Sequence, residues 1–396
     1  MPVYLDHAAT TPMRAEVREA WLKAAETVGN PSSIHGDGQS ARRLLEESRE
    51  RLAETLGCDA IEVVFTSGGT ESVNLALKGL WWSRQPGRAV FVLPDGEHHA
   101  TLDTAEWLAA HEGADVRAVG LDAQGRIPVD AFAAALDGAA VATALVANNE
   151  VGTVNDAAAL AAASAAADVP LHLDAIAAFG HLPLSFSAWR GAAPSGAGLV
   201  ALSVAAHKLG GPVGVGALVA ARTAGLAPLL HGGGQQRGLR AGTQDVAGAA
   251  AFAVAAELAV ADLAQETARL TQLRDRLVQG VRDRIPDAEL LGDPVDRLAG
   301  NVHLHFPGAP GESILFLLDH AGISASTGSA CQAGVAEPSH VVRALGRSDA
   351  EARQVLRLTL GRTSTVDDVD AVLAALPGAV ERARAAASGT RSAAGS

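Results

Sequence analysis

Short apolar runs punctuate the chain up to residue 220: "EVVFTS" (62–67), "RAVFVL" (88–93), "VATALVA" (141–147), "VPLHLDA" (169–175), "LVALSVA" (199–205) and "GVGALVA" (214–220). Each has the length of a strand. Their hydrophobicity is nearly continuous rather than alternating, the pattern of strands covered on both faces. Ala- and Leu-rich stretches of helical length lie between several of them, at 70–83, 98–111 and 156–167. This alternation predicts an α/β layered fold with a mostly parallel sheet.

From Val246 to Val281 the pattern changes to one long helical stretch with its charges on one face. A strand candidate "NVHLHF" (301–306), a helix near 311–320, a strand "VLRLTL" (355–360) and a final helix follow. These predict a second, smaller α+β domain at the C-terminal end. The expected division is a large domain over 14–262 and a small one built from 1–13 and 263–388. The small, polar stretch 389–396 is expected to be a disordered tail.

Composition narrows the class. At 396 residues the chain exceeds the usual size of one domain, and 48% apolar with 19% charged residues is a globular balance. No uninterrupted apolar run reaches the ~18 residues of a membrane span, and "MPVYLDHAATTP" lacks the basic and apolar regions of a signal peptide. The formal charge of −13 argues against direct nucleic-acid binding through a broad basic surface. Two cysteines far apart, Cys58 and Cys331, do not form a disulfide framework and fit a reducing cytoplasm.

Candidate chemistry sits at strand ends. "VVFTSGGTESVNLAL" (63–77) is a strand, a turn of small residues and a helix, whose opening N–H groups suit a phosphate; a plain helix cap has the same pattern. It matches neither the P-loop nor the G-x-G-x-x-G fingerprint. Lys208 in "SVAAHKLGG" follows an apolar strand; shielded from water, such an amine can form a Schiff base, whereas most lysines at strand ends are surface groups. Asp174 ends "VPLHLD", where ligands bind in open α/β sheets and where a turn aspartate is equally common. Adjacent His98 and His99 open another helix, able to stack or shuttle protons, or simply to cap it. His303 and His305 share a strand face, but no third ligand of matching spacing accompanies them, so no metal is expected. Cys331 lies in "ASTGSACQAG", which reads as a flexible loop with nothing bulky to bury a thiol.

The segments "YLDHAATTP", "GNPSSIHGDGQSAR", "FTSGGTES", "NNEVGT", "HLDA", "AHKLGGPVGVGAL", "HGGGQQRGLRAGT", "GSAC" and "LRLTLGRTST" occur in this order along the chain. Together they resemble the NifS/IscS-type cysteine desulfurases of the class V aminotransferase group, from about residue 3 to about 385. The resemblance implies a fold type I transferase dependent on pyridoxal 5′-phosphate, converting L-cysteine to L-alanine and leaving a persulfide on Cys331. It implies Lys208 as the covalent anchor of the cofactor, Asp174 on the pyridine nitrogen and His98 stacked on the ring, with Asn149 touching it. Gly69, Thr70 and His207 would hold the phosphate, joined by Thr243 from a homodimer partner. Asn30 and Arg357 would take the substrate carboxylate. Sulfur would pass to an acceptor protein, an iron–sulfur scaffold or a tRNA-thiolation enzyme. Two departures stand out: Ala177 where the family has a glutamine, and Ala205 where it has a serine. Another class V lyase, acting on selenocysteine or on cysteine at Cβ, and a catalytically weakened sulfur-relay relative are the competing readings.

Overall fold

In the computed structural model the chain runs β1 (Val3–Tyr4), α1 (Ala15–Ala25), α2 (Gly36–Leu56), β2 (Val63–Thr66), α3 (Gly69–Trp82), β3 (Val90–Pro94), α4 (His99–Glu112), β4 (Asp115–Val119), α5 (Val129–Ala135), β5 (Ala139–Leu145), α6 (Ala157–Ala166), β6 (Pro170–Asp174), α7 (Phe186–Arg190), β7 (Gly198–Ala205) and β8 (Gly216–Ala220). It continues through α8 (Val246–Arg284), β9 (Glu289–Leu290), β10 (Asn301–His305), α9 (Gly311–His320), β11 (Ile323–Ser324), β12 (Cys331–Gln332), β13 (Val335–Ala336), α10 (His340–Ala344), α11 (Asp349–Ala352), β14 (Val355–Thr359) and α12 (Val366–Ala394). The structure describes the backbone of 2–328, 331–332, 335–394 and the side chains of 2–328 and 337–388.

Seven strands form one sheet in the order β2-β8-β7-β6-β5-β3-β4. β8 is antiparallel to both its neighbours, and the other pairings are parallel. The apolar runs explain the sheet's centre: β5, β7 and β8 are buried at every position, as strands covered on both faces must be. β4, "DVRAV", was not legible in the pattern. It is one of the sheet's two edge strands and largely exposed, so it needs no apolar run.

A second apolar cluster gathers around the antiparallel sheet β14-β10-β9 and takes in Leu5, Leu277, Phe306, Ile314 and Leu373. The parallel pair β1–β11 ties the N-terminal segment to it. α8 is the one helix among the described residues long and apolar enough to cross a membrane by length and composition. Half of that window is buried, and α8 packs on α1, α2 and α12, as a core helix does.

The backbone of α12 is helical through Ala394, into the stretch 389–396. Within the cysteine segment the backbone of Cys331–Gln332 forms a two-residue strand, β12, paired antiparallel with β13. Ladder bonds there serve backbone groups that a loop would leave to water.

Gly311 starts α9 where the backbone meets β14: an added Cβ would overlap the Val355 carbonyl oxygen, while Gly311 N–H donates to Arg353 O at 2.8 Å. Gly311→Ala gains at most ~1 kcal/mol of helix propensity. The clash costs about 1–3 kcal/mol. Because the overlapped atom is a backbone oxygen that cannot swing aside, the clash falls at the upper end of that range, and we expect a net loss of about 1–2 kcal/mol, read as a lower denaturant midpoint. An unchanged or raised midpoint would show that α9 is free to shift off β14.

Candidate active site

The carboxyl ends of β2, β3, β5, β6 and β7 converge on one edge of the sheet, and a cavity of about 240 Å3 opens there. Gly69, Thr70, His98, Ala100, Leu145, Asn149, Asp174, Ile176, Ala177, His207 and Lys208 line it. The strand-end position follows from the topology of an open α/β sheet, where connections splay apart at the carboxyl ends.

Lys208 follows β7 after one short turn. Its Nζ donates to the carbonyl oxygens of Ala8 and of Ala9, the latter at 2.9 Å. Burial and the Arg357 guanidinium push the amine down to about 8, opposed by Asp6 and Asp174. An appreciable fraction is thus a free, nucleophilic amine near neutral pH.

Asp174 is 2% exposed. Burial drives its carboxyl up to about 6, against a bond from Ile176 N–H to Oδ1 at 2.9 Å and the charge of Lys208. Oδ2 remains for a ligand. Two residues earlier on the same face, His172 bridges Thr143 Oγ1 at 2.9 Å and Ser203 Oγ at 2.8 Å, locking β5, β6 and β7. Burial holds that imidazole neutral, down to about 3.

His98 caps α4. Its Nδ1 accepts the Ala100 N–H at 3.0 Å, so the neutral ring carries its proton on Nε2. Burial, then Lys208, His99 and His340, push it down to about 4. His207 is likewise lowered to about 4 by burial and by Lys208. Beside the same cavity, α3 begins at Gly68 with no side-chain cap. The opening N–H groups beside Gly69 and Thr70 are therefore available to an anion. An added Cβ at Gly69 would meet the end of the Ile176 side chain, which would have to turn aside.

Arg357 approaches from β14. Its Nη1 donates to Asn149 O at 3.0 Å and its Nη2 to Asp6 Oδ1 at 3.0 Å, while Nε has no partner. Two other expected residues lie apart from the cavity. Asn30 is exposed, its Oδ1 accepting from Ser32 N–H at 2.9 Å, and Thr243 is exposed on the loop before α8. The Cys331 side chain lies outside the described residues. Ala177 lines both this cavity and a smaller one of about 50 Å3 shared with His7, His181 and Lys208. Ala205 is buried and does not line the cavity.

Sequence reasoning missed His7, His181, Asp6 and the carbonyls of Ala8 and Ala9. "YLDHAATTP" marked that segment, but nothing in it revealed that its backbone would receive the amine. Glu97 was missed too, in the shadow of the adjacent histidines. No group of three or more metal-ligating side chains occurs among the described residues.

A phosphate-suited helix N-terminus, a shielded amine, a buried carboxylate with a free oxygen and an apolar wall at Ile176 and Ala177 fit pyridoxal 5′-phosphate. The chain belongs to the aminotransferase class-V family, whose model matches residues 3–372. Within it, the chain groups with the IscS- and NifS-like cysteine desulfurases. It is 51% identical over 392 residues to an IscS-like cysteine desulfurase of Mycobacterium tuberculosis, covering 97% of this chain and 98% of that one. A solved NifS-like protein superposes with a TM-score of 0.88 at 30% identity, over 96% of this chain and all of that one. A structure of SspA in complex with cysteine matches with a TM-score of 0.77 at 30% identity, over 90% and 98% of the two chains. Enzymes of this family depend on pyridoxal 5′-phosphate.

The raised Asp174 has a consequence for stability. Its folded value, about 6, exceeds the ordinary 3.8, so the group favours the folded state fully below pH 3.8 and loses that contribution as pH rises through 6. Asp174→Asn should stabilise the cofactor-stripped protein at pH 8 by about 1–3 kcal/mol, with the gain shrinking toward pH 4. Denaturant titrations across that range measure it. A gain independent of pH would place its origin elsewhere.

Proposed function

We propose that this protein is a cysteine desulfurase in which Lys208 anchors pyridoxal 5′-phosphate and Cys331 takes up the sulfur. The observation that carries the reading is Lys208 itself. It is an amine pushed down to about 8, in one cavity with Asp174, His98 and an uncapped helix N-terminus.

In this reading the phosphate rests on the N–H groups at Gly69 and Thr70 and on His207. Asp174 would accept the pyridinium N–H, with His98 against the ring and Asn149 beside it. When bound, the cofactor supplies an electron sink for charge developing at Cα of the substrate. Arg357 receives the substrate carboxylate through its planar fork, releasing Asp6 or sharing with it, and Asn30 assists. The Lys208 amine would carry the Cα proton. The Cys331 thiolate attacks the substrate sulfur, an S–S bond forms and the Cβ–S bond breaks. Protonation at carbon gives L-alanine, so L-cysteine and one thiol become L-alanine and one persulfide.

Thr243, exposed in the single chain, fits a homodimer in which it reaches the partner's phosphate. The two larger apolar clusters support a division into 14–262 and 1–13 with 263–388, and a third, small one joins Val151 to Leu291, Val341 and Val355 across it. A protein acceptor, of the iron–sulfur scaffold or tRNA-thiolation kind, in the cytoplasm would receive the sulfur.

Lys208→Ala should lose the visible absorbance of the bound cofactor and all turnover, since no other amine lines the cavity. Borohydride reduction and peptide mapping test this, and a pyridoxyl group on another lysine would overturn the assignment.

The two thiols give a separate test. Burial, then Glu62 and Asp59, push the Cys58 thiol up to about 12, which keeps it an inert thiol. Cys58→Ser should keep sulfide release. Cys331→Ser should still bind L-cysteine and perturb the cofactor spectrum, yet form no persulfide. The reverse pattern would sink the proposed sulfur route.

A further inference from the structure

Glu97 ends the segment between β3 and α4, immediately before His98, and is fully buried. Its Oε1 accepts the Leu145 N–H at 2.8 Å. Leu145 is the register partner of Asp174 across β5 and β6, so this bond brings the Glu97 carboxyl to the strand ends where Asp174 sits. Its Oε2 is buried with no hydrogen-bond partner. The residue's own carbonyl accepts from His340 Nε2 at 2.8 Å, and His340 opens α10, the helix that follows the Cys331 hairpin.

The groups around this carboxyl decide its state. From β6 it faces Asp174, a like charge. From its own segment comes His98, which is neutral at pH 7, and from α10 comes His340, which meets the backbone and not the carboxyl. A carboxylate here would have one donor, one bare oxygen, a neighbouring anion and no contact with bulk solvent. A carboxylic acid keeps the bond from Leu145 and avoids the charge.

We propose that Glu97 is a positioning residue of this site: a carboxyl that stays protonated at neutral pH, pins the segment before His98 to the end of β5, and leaves Asp174 as the one carboxylate lining the cavity. Burial with Asp174 alongside raises its proton affinity well above that of an ordinary glutamate. The pair then behaves as one coupled unit with a single negative charge. That charge rests on Asp174, the member with Oδ2 free and Lys208 nearby. The inference rests on the desulfurase reading only for the identity of the cofactor.

Infrared spectroscopy of the holoenzyme at pH 8 reads the proton directly. The carbonyl stretch of a protonated carboxyl should be present in the wild type, absent in Glu97→Gln and retained in Asp174→Asn. Glutamine keeps the acceptor for Leu145 N–H and is as neutral as the acid. The pH midpoint of the cofactor's visible absorbance should therefore be the same in Glu97→Gln as in wild type. Glu97→Ala removes the acceptor and should weaken cofactor retention roughly tenfold, the equivalent of one hydrogen bond. Rescue by glutamine but not alanine separates positioning from bulk packing. If Glu97→Ala fails to fold, the infrared band and the glutamine titration still decide.

Absence of the band in wild type, or a midpoint displaced by about a unit in Glu97→Gln, as loss of a neighbouring charge produces, overturns the proposal. The band needs no turnover. A yellow protein without it defeats this inference alone, and a colourless protein that shows it defeats the cofactor reading alone.

Discussion

The Lys208 ammonium, set on the carbonyls of Ala8 and Ala9, is the contact on which the rest of the arrangement depends. Those carbonyls come from the N-terminal segment, whose Leu5 is buried in the second apolar cluster and whose Asp6 bridges to Thr359 of β14. One chain segment thus belongs to the small sheet by its apolar side chains and to the large sheet's edge by its backbone. Anything that loosens β1 from β11 and β14 also strips the amine of its acceptors. The packing of the second cluster is therefore felt at Lys208.

The electrostatics of the cavity follow from what burial leaves charged. His98, His172 and His207 are all held neutral, so the field comes from Lys208, Arg357 and Asp174, with Asp6 screening the guanidinium. The Asp174 charge lies at the end of β6, and the N-terminus of α3 offers its positive dipole to the same cavity. A ligand that is anionic at one end and protonated at the other matches that polarity in one orientation only. Neutral histidines serve this better than charged ones, because they add hydrogen-bonding and stacking surface without competing for the anion.

Much of this was legible in the chain. The central strands announced themselves because strands covered on both faces must be continuously apolar. Lys208, Asp174, His98, Gly69 and Thr70 were legible because each closes or follows such a strand. The edge strand β4 escaped because exposure removes the apolar signal, and β1 and β11 because two residues are too few to carry a period. Asn30 and Thr243 came from resemblance alone, and within one chain they stand outside the cavity. Glu97 escaped for another reason: glutamate at a strand-to-helix junction is ordinarily a solvated residue. Only the path of β5 reveals that this one is enclosed.

Buried polar atoms without partners are rare in native proteins, and each asks for a reason. Here three of them, His7 Nε2, Glu97 Oε2 and Arg357 Nε, belong to residues that border the cavity or touch its lining. Left in a core they would each cost about 1–3 kcal/mol. The fold tolerates them because the elements around them cannot relax. His172 clamps the three central strands, Ser339 Oγ donates to Glu150 Oε2 at 2.5 Å beneath α10, and Asn148 accepts from both Glu150 and Val151 N–H while donating to Gly96 O. Satisfied networks thus surround the unsatisfied atoms. A rigid frame holds the Lys208 amine, Oδ2 of Asp174 and the Arg357 guanidinium in place before a polar ligand arrives, so binding does not first cost the ordering of those groups.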